Sequence, residues 1–189
     1  NRYQYRHMLD PLTLTFAATF TAAISAIADI ILWRLNTDFK GVPLWSLSLI
    51  FYATSFFLLT NLIQVPILFS FLLGNSFQVT ASCLLLYGTC YFFHYPLGFS
   101  RLFFTLLMLL ILAFCYYIFI DFNTGQRMVL MSIFHPIVFL LVARISWRHK
   151  DKYSFLSSSL LSWTCLAGAL GLGYRLYILL FDHLNQVYS

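Results

Sequence analysis

Seven side chains able to ionise or to make strong hydrogen bonds stand within or at the ends of apolar runs: Asp29, Asn75, Gln78, Asp121, His135, Arg144 and Arg175. Groups of this kind are costly at membrane depth and mark functional sites by default. Asp29 falls late in the first run and Arg144 late in the fifth, at matching depth. An Asp29–Arg144 pair would lower the desolvation cost of both groups, either as a structural tie or as a proton-coupled site. Arg175, near the opposite face, is better matched by Asp121, with Asp182 next. Asn75, Gln78, His135 and Arg175 occupy the outer half or middle of their runs, where together they can line an outward-facing pocket for a small polar or anionic ligand. Asn and Gln also serve as glue between helices, at about 0.6 kcal/mol per hydrogen bond.

His135 precedes Pro136, which removes a backbone donor and predicts a kink. A histidine there has the chemistry of a proton-responsive switch. Haem ligation would need a second histidine on a facing helix, and His94 falls at the opposite interface, so no haem is expected. Cys83, Cys90, Cys115 and Cys165 lie in apolar runs without CxxC or Cys/His metal spacing and read as small hydrophobes. No HExxH, GxSxG, phosphate-binding loop or dinucleotide fingerprint is present, and Ser157–Ser159 have no evident base beside them. Neither catalysis, cofactor nor metal is expected.

The elements that must position these groups are apolar helices. Of 189 residues, 61% are hydrophobic, 20% aromatic and 9% charged, with a mean hydropathy of +0.83. Soluble domains carry about 25% charged residues, and their cores cannot hide so much apolar surface. Six runs approach the roughly 20 residues of a membrane helix: Leu12–Trp33, Leu44–Ile63, Pro66–Phe93, Leu102–Ile120, Met128–Trp147 and Phe155–Phe181. Turn residues separate them: Asn36 to Pro43, Asn61 to Pro66, Tyr95 to Gly98 and Asp121 to Gly125. The expected fold is an all-α polytopic membrane bundle of about six helices in one transmembrane domain, consecutive helices antiparallel. The runs are too long, and alternate too little, for a β-barrel. The first run ends in Trp33-Arg34 rather than in a signal-peptidase site. Small residues at Ala18, Ala22, Ala26, Ala167 and Gly171 suit close helix packing.

The net charge of +5 is spread over short loops. The cluster Arg148-His149-Lys150-Asp151-Lys152 reads as a topology signal or anionic-lipid contact rather than a nucleic-acid surface. Arg34, Lys40, Arg101, Arg148, Lys150 and Lys152, with Arg144 just inside, predict a cytoplasmic first, third and fifth loop and place both chain ends outside. Trp33, Trp45 and Trp147 fall on that cytoplasmic side as an interfacial belt. Arg2 and Arg6 oppose this orientation, but Met8-Leu9-Asp10 has the form of a natural start, so Asn1–His7 are expected to be non-native.

Met8-Leu9-Asp10-Pro11-Leu12-Thr13 opens a helix ending in Trp33-Arg34, followed by Gly41 and Trp45. Pro66 opens the third helix, with Gly74-Asn75, Tyr87-Gly88 and Phe93. Arg127 opens the fifth, and Arg175 falls late in the sixth. Over nearly its whole length the chain resembles the amino-terminal membrane sensor region of bacterial GGDEF diguanylate cyclases, in which about seven helices precede a domain that makes cyclic di-GMP. The resemblance implies an input module of the bacterial inner membrane, in which a stimulus alters the geometry of a homodimer. Trp33, Arg34, Asn75, Gly88, Arg127 and Arg175 are then the characteristic positions. No GGDEF motif follows, so the resemblance also implies a fragment or truncated relative, lacking a seventh helix and an output domain and non-catalytic by itself. The alternative expectation is a small multipass transporter or channel subunit using Asp29, His135 or Arg175 along a pathway.

Overall fold

The computed structural model describes residues 11–35, 40–59, 66–96, 100–120, 124–149, 159, 161–174 and 177. Their regular structure is entirely α-helical: α1 Pro11–Leu35, α2 Val42–Leu59, α3 Ile67–Phe92, α4 Ser100–Phe119, α5 Thr124–Arg148 and α6, residues 161–174. Four helices contain stretches long and apolar enough to cross a membrane: Phe16–Leu35, Val42–Leu59, Phe69–Phe92 and Met128–Arg148. At about 1.5 Å per residue, the 25 residues of α1 exceed the roughly 30 Å hydrocarbon layer. The chain is an all-α membrane protein.

Local chemistry sets the helix ends. Pro11 is the first residue of α1, and Pro43 lies in the first turn of α2, where an amide donor has no helical partner to lose. The turn expected to run through Pro43 therefore ends at Gly41, whose carbonyl accepts from the amides of Leu44 and Trp45 at 3.1 and 3.3 Å. The expected turn Asp121 to Gly125 is likewise shorter, because Thr124 and Gly125 already belong to the first turn of α5, where glycine interrupts nothing. The carbonyl of Pro66 starts α3, accepting from Phe69 and Ser70 at 2.8 and 3.1 Å.

The end of α3 is a two-bond reverse cap. Tyr95 N donates to Cys90 O at 2.8 Å and His94 N to Tyr91 O at 3.4 Å, while His94 takes a left-handed φ of 51°. Pro96 follows, barring continuation of the helix. At the end of α5, His149 Nδ1 donates to Ile145 O at 2.9 Å, and its ring packs 5.6 Å from Phe93 and 6.0 Å from Tyr95. The helix α5 continues unbroken through Pro136.

The chain divides into two compact units, Asn1–Leu84 and Leu85–Ser189. In the first, α1 lies along α2, with Ala22 and Ala26 buried. Phe20, Ile24, Ile27 and Ile31, at helical spacing on the opposite side, are exposed, Ile24 by 64%. Leaving such a side chain in water forgoes about 1.5–3 kcal/mol, whereas a lipid tail covers it. Meanwhile Ser46, Ser48, Ser55 and Ser82 are buried, so polar groups face in and large apolar groups face out. In the second unit, Leu86, Phe93, Val138, Val142, Ile145 and Cys165 form a buried cluster.

Candidate functional site

The residues singled out by the sequence fall into both units. Asp29 is half-buried on α1; Arg144 belongs to the other unit, exposed near the end of α5. Asn75 is half-buried on α3, and its Nδ2 donates to Phe71 O at 2.7 Å, one turn back on its own helix. Gln78 is half-buried one turn further along. His135 is 4% exposed, in the second unit, with Nδ1 2.8 Å from Met131 O. A carbonyl only accepts, so Nδ1 carries a proton and donates this bond. The ring of Phe134 meets His135 edge-on at 5.6 Å.

Arg175 and Asp121 lie outside the described residues, and with them the proposed Asp121–Arg175 pair. Arg127 is in the first turn of α5, but its side chain is outside the description. Gly88 is buried in α3. Trp33 and Arg34 form a unit of their own at the end of α1: the guanidinium carbon sits 5.7 Å from the indole centroid. The cation also complements the negative end of the helix dipole. Among the described residues no three His, Cys, Asp or Glu side chains come together as a metal site.

The most developed polar arrangement in the first unit is a seam between α2 and α3. Ser48 Oγ donates to Ala81 O at 2.7 Å and Ser55 Oγ to Gly74 O at 2.8 Å. Tyr52, between the two serines on α2, places its OH 2.6 Å from Ser82 Oγ, and Ser82 Oγ donates to Gln78 O at 3.1 Å. The single serine proton is committed to that carbonyl, so Tyr52 is the donor to Ser82. Gly74 allows the helices to meet: an ideal Cβ there would lie 2.8 Å from Leu59 Cγ. The seam is absent from the sequence-based site residues, although Ser48, Tyr52 and Ser55 repeat at i, i+4 and i+7 and so share one face of α2. That spacing was the available signal.

In the second unit a groove of about 450 Å³ opens between the end of α5 and the start of α6. Leu140, Arg144, Trp147, Arg148, Trp163 and Leu166 are among the residues that line it. Ser162 Oγ donates to Ala143 O at 3.3 Å across the two helices, and the rings of Trp147 and Trp163 meet edge-on at 6.3 Å. Arg144 and Trp147 are legible in the sequence as an intramembrane cation and a belt residue. Trp163, from a separate helix, is the member no local pattern brings to them. Set against protein-family models, curated proteins and solved structures, the chain matches none of them.

Proposed function

We propose that this chain is a membrane-embedded input region of a bacterial signalling protein. It senses a stimulus in or at the inner membrane and passes it, as altered helix packing, to an attached output domain such as one that makes cyclic di-GMP. The chain itself is not a catalyst. Its cation-rich loops, including Arg34–Lys40 and the segment after Arg148, face the cytoplasm, following the positive-inside bias.

The observation that carries this reading is the α2–α3 seam. Its polar side chains are engaged in helix-to-helix hydrogen bonds at 2.6–2.8 Å, and Asn75 is bonded within α3. A conduction path instead needs polar groups turned toward water. A bundle tied by a few short bonds of about 0.6 kcal/mol each also has the modest energy differences from which a two-state switch is built. Further support comes from positions that the resemblance to the sensor family marks: the Arg34 guanidinium lies over the Trp33 ring at the end of α1, and Gly88 is buried in α3.

The test joins the chain, through one added apolar helix, to a diguanylate cyclase catalytic domain and measures cyclic di-GMP in cells. Tyr52→Phe and His135→Ala variants, present in the membrane at wild-type level, are expected to shift output severalfold. Output indifferent to both, and equal to that from an unrelated membrane anchor, refutes the proposal. Solute or proton uptake by liposomes holding the chain alone would favour transport instead.

A further inference from the structure

Proteins that lie wholly in a bilayer meet lipid along all their sides, so a specific lipid site must differ from the surrounding surface in charge and shape. The α5–α6 groove is lined mainly by apolar surface, with two arginines, Arg144 and Arg148, among its lining residues. Its volume, about 450 Å³, falls in the range of small-molecule sites, roughly 300–1,000 Å³. Arg144 and Arg148 are one helical turn apart on the same face of α5, with Trp147 beside them, and no carboxylate occurs among the described lining residues.

The groove is also graded along its length. Ser162 bonds across to Ala143, and Phe139 lies against Gly168, its ring 3.0 Å from an ideal Cβ there, so α6 runs antiparallel to α5 along this contact. Leu140 and Leu166 therefore occupy the end deeper in the helix pair, and Arg148 the end at the last turn of α5. The distance along α5 from Leu140 to Arg148 is about 12 Å at ~1.5 Å per residue. Trp147 and Trp163, 45% and 60% exposed, stand beside the cations, as indoles do at the headgroup level.

We propose that this groove holds one anionic phospholipid of the surrounding bilayer. The phosphodiester is taken by the guanidinium groups of Arg144 and Arg148, the glycerol region lies beside the two indoles, and an acyl chain runs past Leu140 and Leu166. The polarity of the groove follows that of a phospholipid: anion at the interface, hydrocarbon below. A soluble anion would use only the outer half. A zwitterionic headgroup would bring its own cation against two guanidinium groups. Planar guanidinium donors suit two phosphate oxygens at once. The inference stands apart from the signalling role and holds whether the chain senses or transports.

The test reads fluorescence of Trp147 and Trp163 in a Trp33→Phe/Trp45→Phe background. The full chain is reconstituted in phosphatidylcholine bilayers and titrated with phosphatidylglycerol carrying brominated acyl chains, against brominated phosphatidylcholine as reference. Each surface cation is expected to favour the anionic lipid about 5-fold, giving roughly 25-fold for the pair. Arg144→Gln/Arg148→Gln should remove that preference, and Arg144→Lys/Arg148→Lys should keep most of it. Arg34→Gln/Lys40→Gln, which removes equal charge from residues that do not line the groove, should leave it intact. Equal quenching by the two brominated lipids in the unsubstituted chain overturns the proposal, and that comparison requires no charge variant to fold. A preference that survives in the double glutamine variant, or one abolished by millimolar inorganic phosphate, overturns it equally.

Discussion

Replacing Gly74 by alanine sets two effects of opposite sign against each other. In a helix interior, Gly→Ala gains about 0.8–1 kcal/mol of helix propensity. Here the new methyl would lie 2.8 Å from Leu59 Cγ and 2.9 Å from its Cδ2. Ordinary contact begins near 3.4 Å, so Leu59 must retreat by roughly half an ångström, a strain of the kind that costs about 1–3 kcal/mol in packed interiors. The nearest atom is the branch carbon, which a methyl flip does not move; relief needs rotation about χ1 or separation of the helices. Separation would in turn stretch the Ser55–Gly74 hydrogen bond of 2.8 Å. The overlap therefore wins, and Gly74→Ala should destabilise by about 0.5–2 kcal/mol. In a Leu59→Ala background the obstacle is gone, and the same substitution should stabilise by up to about 1 kcal/mol. The measurement is reversible denaturant unfolding in mixed micelles for wild type, both single variants and the double variant. A coupling of about 1–3 kcal/mol is expected between the sites. Additivity within about 0.5 kcal/mol, or stabilisation by Gly74→Ala in both backgrounds, refutes the packing argument.

At the end of α3, His94→Gly should raise stability by about 1 kcal/mol, because the left-handed φ of 51° costs a residue with a Cβ that glycine lacks. Thermal unfolding followed by circular dichroism reads it, and an unchanged or lower midpoint counts against the cap. Tyr52→Phe and Ser82→Ala should each cost about 0.6 kcal/mol, with the double variant costing less than their sum; the same micelle unfolding assay tests this. Gly168→Leu should weaken α5–α6 packing by about 1–3 kcal/mol, since an added Cβ already meets the Phe139 ring at 3.0 Å, and should do so less in a Phe139→Ala background. In a cysteine-free variant, Lys40→Cys should react with an impermeant maleimide only from the cytoplasmic side and Gln126→Cys only from the outside. The reverse pattern would invert the proposed topology.

Fold class was legible because it rests on local, additive properties. Runs near the length of a membrane crossing, few charges, and Pro or Gly at the breaks dictate helices whatever their neighbours, and α1 to α5 follow the first five runs to within a few residues. Boundaries slipped where a breaker was tolerated: Pro43 and Gly125 sit in first helical turns, where a missing amide donor or side chain disturbs no helical bond. Pairing was another matter. Which hydroxyl meets which carbonyl depends on the rotation of each helix about its axis and on contacts 19 to 33 residues apart in the chain. Polarity and position marked Asn75 as a pocket residue or as glue between helices; the tertiary structure bonds its Nδ2 within its own helix, and it adds helix-to-helix bonds from Ser48, Tyr52, Ser55 and Ser82 that composition did not single out. Likewise Arg144, Arg148 and Trp147 share one turn by sequence alone. Trp163 and Leu166 join them only because α6 packs antiparallel to α5, a docking set by the shape of the Gly168–Phe139 contact and by the Ser162–Ala143 bond.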